Sequence, residues 1–303
     1  MKVLLLGTAA GGGFPQWNCW CPTCRAARSD PGSAHPRTQS SAAISADGKR
    51  WFLLNASPDV REQLGRLDGS PSPDAVRHVP VEGIVATDAE LDHTLGIALL
   101  REARHLQLYA TPAVSAVLDE DSRILPVTGA FAEVTRRPLV LERCVELHYR
   151  DGSPSGLSVE PFAVPGDPPR FARRELPGHT VGLLIHDSAT GGTAAFVPGC
   201  GGLDAGLLDR LGTAELVLFD GTFWTDDELV RLGIGDRPAS AMGHIPVSGP
   251  DGSLTRLARL PARWRVYTHI NNSNPMLLEH SAERRAVQDA GLLVGDDGMR
   301  FTV

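Results

Sequence analysis

Three of the five cysteines in this 303-residue chain fall close together, as Cys19, Cys21 and Cys24. Three thiolates at this spacing can converge on one tetrahedral zinc, with Zn–S near ~2.3 Å and a fourth ligand brought from elsewhere. The alternative is three unrelated cysteines on a loop. Cys21-x-x-Cys24 also has the spacing of a redox pair. Such a pair should open a helix after a strand, and Trp17, Asn18 and Pro22 read as a loop. An odd, crowded cysteine set argues against a disulfide framework. Cys144 and Cys200 read as buried small hydrophobes.

The second group is Asp88-x-Glu90-x-Asp92-His93, directly after the apolar run 81–86. Carboxylates at the end of a buried strand are costly unless they are solvated or bind a cation. They can also begin a helix whose dipole they complement. Three single residues end or follow other ordered stretches. His179 follows Pro177-Gly178, Asp220 ends the run 216–219, and His269 ends the run 266–268, just before Ile270-Asn271-Asn272-Ser273-Asn274-Pro275. One histidine alone is most simply a satisfied polar residue. Strand ends, however, are where a layered fold gathers its functional loops. His244, within Met242-Gly243-His244-Ile245-Pro246, reads as part of a packed loop near a site. His35, His78, His105, His148, His186 and His280 show no partner pattern.

Elements must position these groups. Apolar runs at 3–6, 42–44, 51–54, 81–86, 106–110, 181–186, 193–197, 216–219 and 264–268 predict strands. Asp47-Gly48 predicts a hairpin turn between two of them. Ser57-Pro58 reads as an N-cap with proline at the first helical position. Further helices are expected over 92–103, after Thr111, over 204–211 and over 277–290, with a last hairpin around Asp296-Asp297-Gly298. The Ser/Pro/Gly-rich stretches near 69–73 and 151–156 read as surface loops. Strand pairs with interspersed helices suggest two sheets with helices outside. The run Gly7-Thr8-Ala9-Ala10-Gly11-Gly12-Gly13 lacks the helix and the later acidic strand end of a dinucleotide site. Its glycines instead let the backbone turn sharply beside the site.

Composition excludes other chemistries. A net charge of -7 implies no basic face for nucleic acid. Lys2 and Lys49 are the only lysines, and neither stands in a phosphate-loop pattern or suggests Schiff-base chemistry. No run approaches the ~18 apolar residues of a membrane span. The run 3–6 is too short for a secretory signal, so a cytoplasmic location is expected.

In this order the pieces resemble the metallo-β-lactamase superfamily, whose His-x-His-x-Asp-His motif stands here as Asp88-x-Glu90-x-Asp92-His93. The resemblance implies an α/β fold, the αββα four-layer sandwich, as a single domain over 1–303 with a cysteine metal-binding loop at about 17–25. That loop is similar to a structural zinc site in the phosphodiesterase-like branch. There the fourth ligand lies three residues after the last active-site histidine, which places Asn272, a poor zinc ligand, at the equivalent position. Three longer strings narrow the resemblance to the coenzyme PQQ synthesis protein B family. They are Gly7-Thr8-Ala9-Ala10-Gly11-Gly12-Gly13-Phe14-Pro15-Gln16-Trp17-Asn18-Cys19, Thr87-Asp88-Ala89-Glu90-Leu91-Asp92-His93-Thr94 and His269-Ile270-Asn271-Asn272-Ser273-Asn274-Pro275.

That family implies a role in making pyrroloquinoline quinone (PQQ) from a ribosomal peptide. It implies a small-molecule or dipeptide-like PQQ precursor as ligand, and other PQQ biosynthesis proteins as partners. It looks like an Fe(II)- and O₂-dependent hydroxylase of the tyrosine-derived part of a cross-linked Glu-Tyr intermediate. An older reading makes it a carrier that helps move PQQ or its precursor to the periplasm. Residue by residue, the first of the superfamily's two metal sites is lost with Asp88 and Glu90. The second survives as Asp92, His93 and His269, with Asp220. Two histidines and a carboxylate match non-haem Fe(II), with zinc expected at Cys19, Cys21 and Cys24. His179 is then expected to bind substrate or move a proton. Asp88 and Glu90 are expected to orient bound water or substrate, or to cap the helix. Asn271, Asn274 and His244 are expected to bind substrate, with turn formation the alternative for the asparagines.

Overall fold

The computed structural model describes residues 1–30, 32–69 and 76–303. Fourteen strands form among them: β1 (Lys2–Gly7), β2 (Ser41–Ser45), β3 (Trp51–Leu54), β4 (Val81–Val85), β5 (His105–Ala110), β6 (Glu133–Pro138), β7 (Val145–His148), β8 (Pro154–Ala163), β9 (Val181–Asp187), β10 (Thr193–Val197), β11 (Leu216–Asp220), β12 (Trp264–Thr268), β13 (Leu293–Val294) and β14 (Arg300–Thr302). They make two seven-stranded sheets, in the orders β14-β1-β2-β3-β4-β5-β6 and β13-β12-β11-β10-β9-β8-β7. Both are mixed. In the first, β3 to β6 run parallel and β14, β1, β2 and β3 antiparallel; in the second, β10 to β13 run parallel and β7 to β10 antiparallel.

The two-residue period of a strand sorts the side chains into layers. Leu5, Ile44, Phe52 and Val85 of the first sheet share one buried cluster with Leu183, Phe196, Leu218 and Val266 of the second. Leu4, Leu6, Leu53 and Ile84 turn the other way, onto Val60, Ile97, Val114 and Leu118 of the outer helices. On the far side Ala195, Val197, Val217 and Phe219 meet Leu207, Leu211, Leu257 and Val287. The result is a four-layer αββα sandwich. Sheets covered on both faces explain why the central strands read as continuous apolar runs. Each such leucine or phenylalanine contributes roughly 1.5–3 kcal/mol by leaving water.

Several expectations change. The helix expected over 92–103 is broken into Leu91–Thr94, Gly96–Leu99 and a 3-10 turn at Arg101–Ala103. Gly96 presses on the 56–57 backbone so closely that a Cβ would stand 2.2 Å from the Ser57 carbonyl oxygen. The expected helix over 277–290 is a 3-10 turn, Pro275–Leu277, and then Ala282–Asp289. The helix after Ser57 begins only at Val60, with Asp59 at its N-cap. Asp296-Asp297-Gly298 does not close a hairpin, because β13 and β14 belong to different sheets. The stretch 151–156 is partly strand, since β8 begins at Pro154. Of the stretch 69–73, residues 70–73 lie outside the described residues. Cys144 is exposed rather than buried. No helix among the described residues is long and apolar enough to cross a membrane.

Candidate metal centre

The C-terminal ends of three parallel strands supply the site. β4 leads into Thr87 to His93, β11 ends at Asp220, and β12 runs directly into His269. His269 holds a left-handed φ of 53°, a strain that a non-glycine residue keeps only where the surroundings demand it. Across the site, Gly11 lies against Asp92, where a Cβ would stand 3.4 Å from its Oδ2, and Gly12 and Gly13 then turn the chain with φ of 93° and 69°. These loops border a cavity of about 430 Å³, lined by Asp88, Glu90, Asp92, His93, His244, His269 and Asn271 among others.

Three imidazoles meet there, and each has its Nδ1 tied. His93 Nδ1 lies 2.7 Å from Asp88 Oδ2. His244 Nδ1 lies 2.6 Å from Asp220 Oδ2. His269 Nδ1 lies 2.8 Å from Thr222 Oγ1. A carboxylate or hydroxyl that holds Nδ1–H fixes the tautomer and leaves Nε2 as the free donor atom. The His93 and His269 rings stand 5.0 Å apart and the His244 and His269 rings 5.4 Å apart. Asp92 Oδ2 approaches His269 Nε2 to 3.2 Å and His93 Nε2 to 3.8 Å.

The donor set fits a metal ion. His93 Nε2 is buried and has no hydrogen-bond partner among the described residues. An orphaned buried polar atom costs about 1–3 kcal/mol, which coordination would remove. Asp92, His93 and His269 each place one ligand atom within 4.8 Å of the others, and so do Asp220, His244 and His269. The charges agree. Burial alone would drive His93 toward its neutral form, but Asp88 and Asp92 overcome that and raise it to about 9. Burial opposes ionisation of Asp92 as well, and the two histidines hold it well below the usual carboxylate range. Asp220 is held low against burial chiefly by His244. Glu90 is pushed up to about 7, by burial and then by the charges of Asp88 and Asp92.

Several expected residues take other places. Asp88 lines the cavity and spends its oxygens on His93, the Thr87 hydroxyl and the Glu90 amide, so it orients the His93 ring. Asp220 keeps its place among the metal-capable groups, and it is fully buried and accepts from Cys200 N, Thr222 N, the Thr222 hydroxyl and His244. His244, expected at the substrate, lines the cavity and also stands among the metal-capable groups. Asn274 is buried away from the cavity. Its amide donates to the Gly221 carbonyl and its oxygen accepts from Met276 N, which caps the turn Pro275–Leu277. His179 is not on the cavity lining. Its ring nitrogens lie 2.8 Å from the Leu176 carbonyl and 3.1 Å from that of Gly166, and Gly166 forms part of the wall. Asn271 lines the cavity. Its amide donates to the Ser273 hydroxyl, which donates to the buried Glu228.

The cysteines form a second cluster. Cys21 is the N-cap of the helix Pro22–Ser29 and Cys24 sits in its first turn, so a helix opens where a loop was expected. The three sulfurs lie within 4.8 Å of one another. Donation from the Cys24 thiol holds Cys21 well below the usual thiol range, and Cys24 is correspondingly raised. Asn272 closes the remaining side, its Nδ2 3.2 Å from Cys24 Sγ and 3.6 Å from Cys21 Sγ.

Residues 50–270 match the model of the β-lactamase superfamily domain. A coenzyme PQQ synthesis protein B from Gluconacetobacter diazotrophicus is 43% identical, over 100% of this chain and 99% of that protein. The crystal structure of Zn²⁺-bound PqqB from Methylobacterium extorquens superposes with a TM-score of 0.91 at 38% identity, covering 100% of both chains. A diphosphatase of the PhnP family shares the fold, with a TM-score of 0.68 at 20% identity over 100% of this chain and 97% of that one. Full-length identity at this level, on a metallo-β-lactamase fold with paired His and Asp groups at its strand ends, shows that the chain belongs to the coenzyme PQQ synthesis protein B family and has its role in PQQ biosynthesis.

Proposed function

We propose that the chain is an Fe(II)- and O₂-dependent hydroxylase of the tyrosine-derived ring of a cross-linked Glu-Tyr intermediate in PQQ biosynthesis. The observation that carries this reading is the donor set: His93, His269 and Asp92 around one cavity, with His93 Nε2 unpartnered. Two histidines and one carboxylate leave coordination positions open for O₂ and substrate. The leading nitrogen donors of a two-zinc hydrolase are absent, since Asp88 and Glu90 stand in their places.

Iron held by these residues would supply the activation of O₂. In the overall reaction a ring C–H becomes C–OH, and the second oxygen atom leaves as water with two electrons from an external reductant. Asp88 and Thr222 hold the Nδ1–H of His93 and His269, so that both Nε2 atoms point at one place. Asp220 does the same for His244, which becomes an additional donor. Glu90 has no side-chain hydrogen bond among the described residues and moves a proton of the substrate. Asn271 hydrogen-bonds the substrate. His179 holds the Gly166 wall rather than the substrate. Cys19, Cys21 and Cys24 hold a structural zinc closed off by Asn272, within one domain spanning 1–303.

The test is anaerobic reconstitution with Fe(II), followed by O₂, ascorbate and the cross-linked Glu-Tyr compound. Hydroxylated product is expected with iron and not with zinc alone. Turnover with zinc alone and none with iron overturns the reading. A neighbouring cavity of about 1220 Å³ favours a second reading, a carrier for PQQ or its precursor bound for the periplasm. A carrier binds its cargo equally well after both histidines of the triad are replaced.

A further inference from the structure

The metal cavity has two unlike ends. Its floor is acidic, with Asp88, Glu90 and Asp92 around the imidazoles. Its rim carries two arginines, Arg170 and Arg237, contributed by separate segments of the chain. Asp167 lines the cavity beside them, yet neither arginine makes an ion pair with it or with any other carboxylate among the described residues. Some arginines elsewhere are paired, such as Arg136 with Asp119, Arg173 with Asp121 and Arg210 with Glu142 and Glu160, and others are not, so what singles out Arg170 and Arg237 is the cavity they share. Phe223 and Met242 add an apolar surface to the same lining, and Arg170 also lines the larger cavity next door.

Such a cavity has a polarity that a ligand must match. A guanidinium presents a planar fork of donors that fits a carboxylate in bidentate fashion. An aromatic ring suits the apolar surface, and a reacting group suits the floor.

We propose that Arg170 and Arg237 form a carboxylate clamp that selects an aromatic polycarboxylate and decides which end of it faces His93 and His269. This rests on the proposed function only in taking the floor as the reacting end. Binding by the clamp itself needs neither iron nor turnover.

The experiment therefore uses the full chain loaded with zinc, which performs no oxygen chemistry. Calorimetry compares PQQ, a planar aromatic tricarboxylate, with its trimethyl ester. The acid should bind at least about tenfold more tightly than the ester, the equivalent of one good charge-assisted contact. Arg237→Gln and Arg170→Gln should each remove about tenfold or more of the affinity for the acid, leave the ester unchanged and leave zinc content unchanged. Arg237→Lys should restore part of the loss, since it returns the charge without the fork. Equal binding of acid and ester by the unaltered protein, including no binding of either, overturns the clamp. So does an equal loss for acid and ester in the Gln variants. A protein that passes this test but never hydroxylates keeps the clamp and loses the hydroxylase.

Discussion

The metal cavity and the cysteine loop are both built to gather ligand atoms, yet they are opposites in chemistry. The cavity offers imidazoles and carboxylates, open to a 430 Å³ space, with one ring nitrogen orphaned. The loop offers three sulfurs, two of them on buried cysteines, and Asn272 covers the side that would otherwise be open. Open sites keep a position for reactants, and closed thiolate sites hold structure. One short segment serves both regions. It carries His269 to the cavity, Asn271 to its rim, Asn272 to the cysteines and Ser273 to Glu228. Damage to one region should therefore be separable from damage to the other only when that segment is left alone.

The largest separation should come from His93→Ala. It removes the unpartnered ring nitrogen and leaves Asp88 buried without its partner. Metal at the cavity should be lost and the proposed hydroxylation reduced by more than about a hundredfold, while the metal proposed at the cysteines stays. Asp88→Asn should weaken cavity metal by about 10–100-fold, the usual effect of removing the partner that orients a ligand. Metal analysis after gel filtration, together with an activity assay, reads both. Equal loss from both regions would show that the two do not bind metal independently.

Cys24→Ser should do the reverse. It removes a fully buried sulfur from the loop and from the packing around Ala27 and Phe14. A stability loss of about 3 kcal/mol is expected from lost metal-coupled folding, a fall in Tm of roughly 6–12 °C at this size. Calorimetric melting measures it, and cavity metal should remain. An unchanged Tm would mean that no metal is held there.

The features that made this comparison legible in the sequence were local ones. Asp92 and His93 adjoin the end of one apolar strand and His269 the end of another, and strands buried on both faces announce themselves as unbroken apolar runs. The cysteines lie within a few residues of one another. What stayed hidden depends on distance. His244 looked like a loop residue because its partner, Asp220, is 24 residues away in the chain. Asn274 looked like a substrate ligand because nothing local shows that its amide ties down the Gly221 carbonyl. The break at Gly96 follows from contact with the 56–57 backbone, which no helix pattern reveals. The false hairpin at Asp296-Asp297-Gly298 has good turn chemistry, but turn chemistry does not say which sheet each arm will join. Arg170 and Arg237 carry no motif at all, and only the cavity brings them together.

The smallest expected effect lies where the two regions join. Glu228 is 1% exposed, and its oxygens accept from the Trp224 amide and the Ser273 hydroxyl. Burial outweighs those donors and pushes its carboxyl up to about 7. A carboxyl raised on folding binds its proton more tightly in the native state. Its contribution to stability is therefore complete below the unfolded value near 4.5 and is lost as pH rises toward 7. Glu228→Gln removes the charge at every pH, but its one amide oxygen can accept from only one of the Trp224 amide and the Ser273 hydroxyl, and its NH₂ then faces the other donor. Near pH 4.5 the variant should be less stable than the natural chain by about 1–3 kcal/mol, the cost of the lost acceptor. Between pH 4.5 and 8 it should recover about 2–3 kcal/mol relative to the natural chain, because only the natural carboxyl ionises. Melting curves at the two pH values measure this. A difference that does not change with pH would show that Glu228 keeps one charge state throughout, and that the segment is not held by a neutral hydrogen-bond chain.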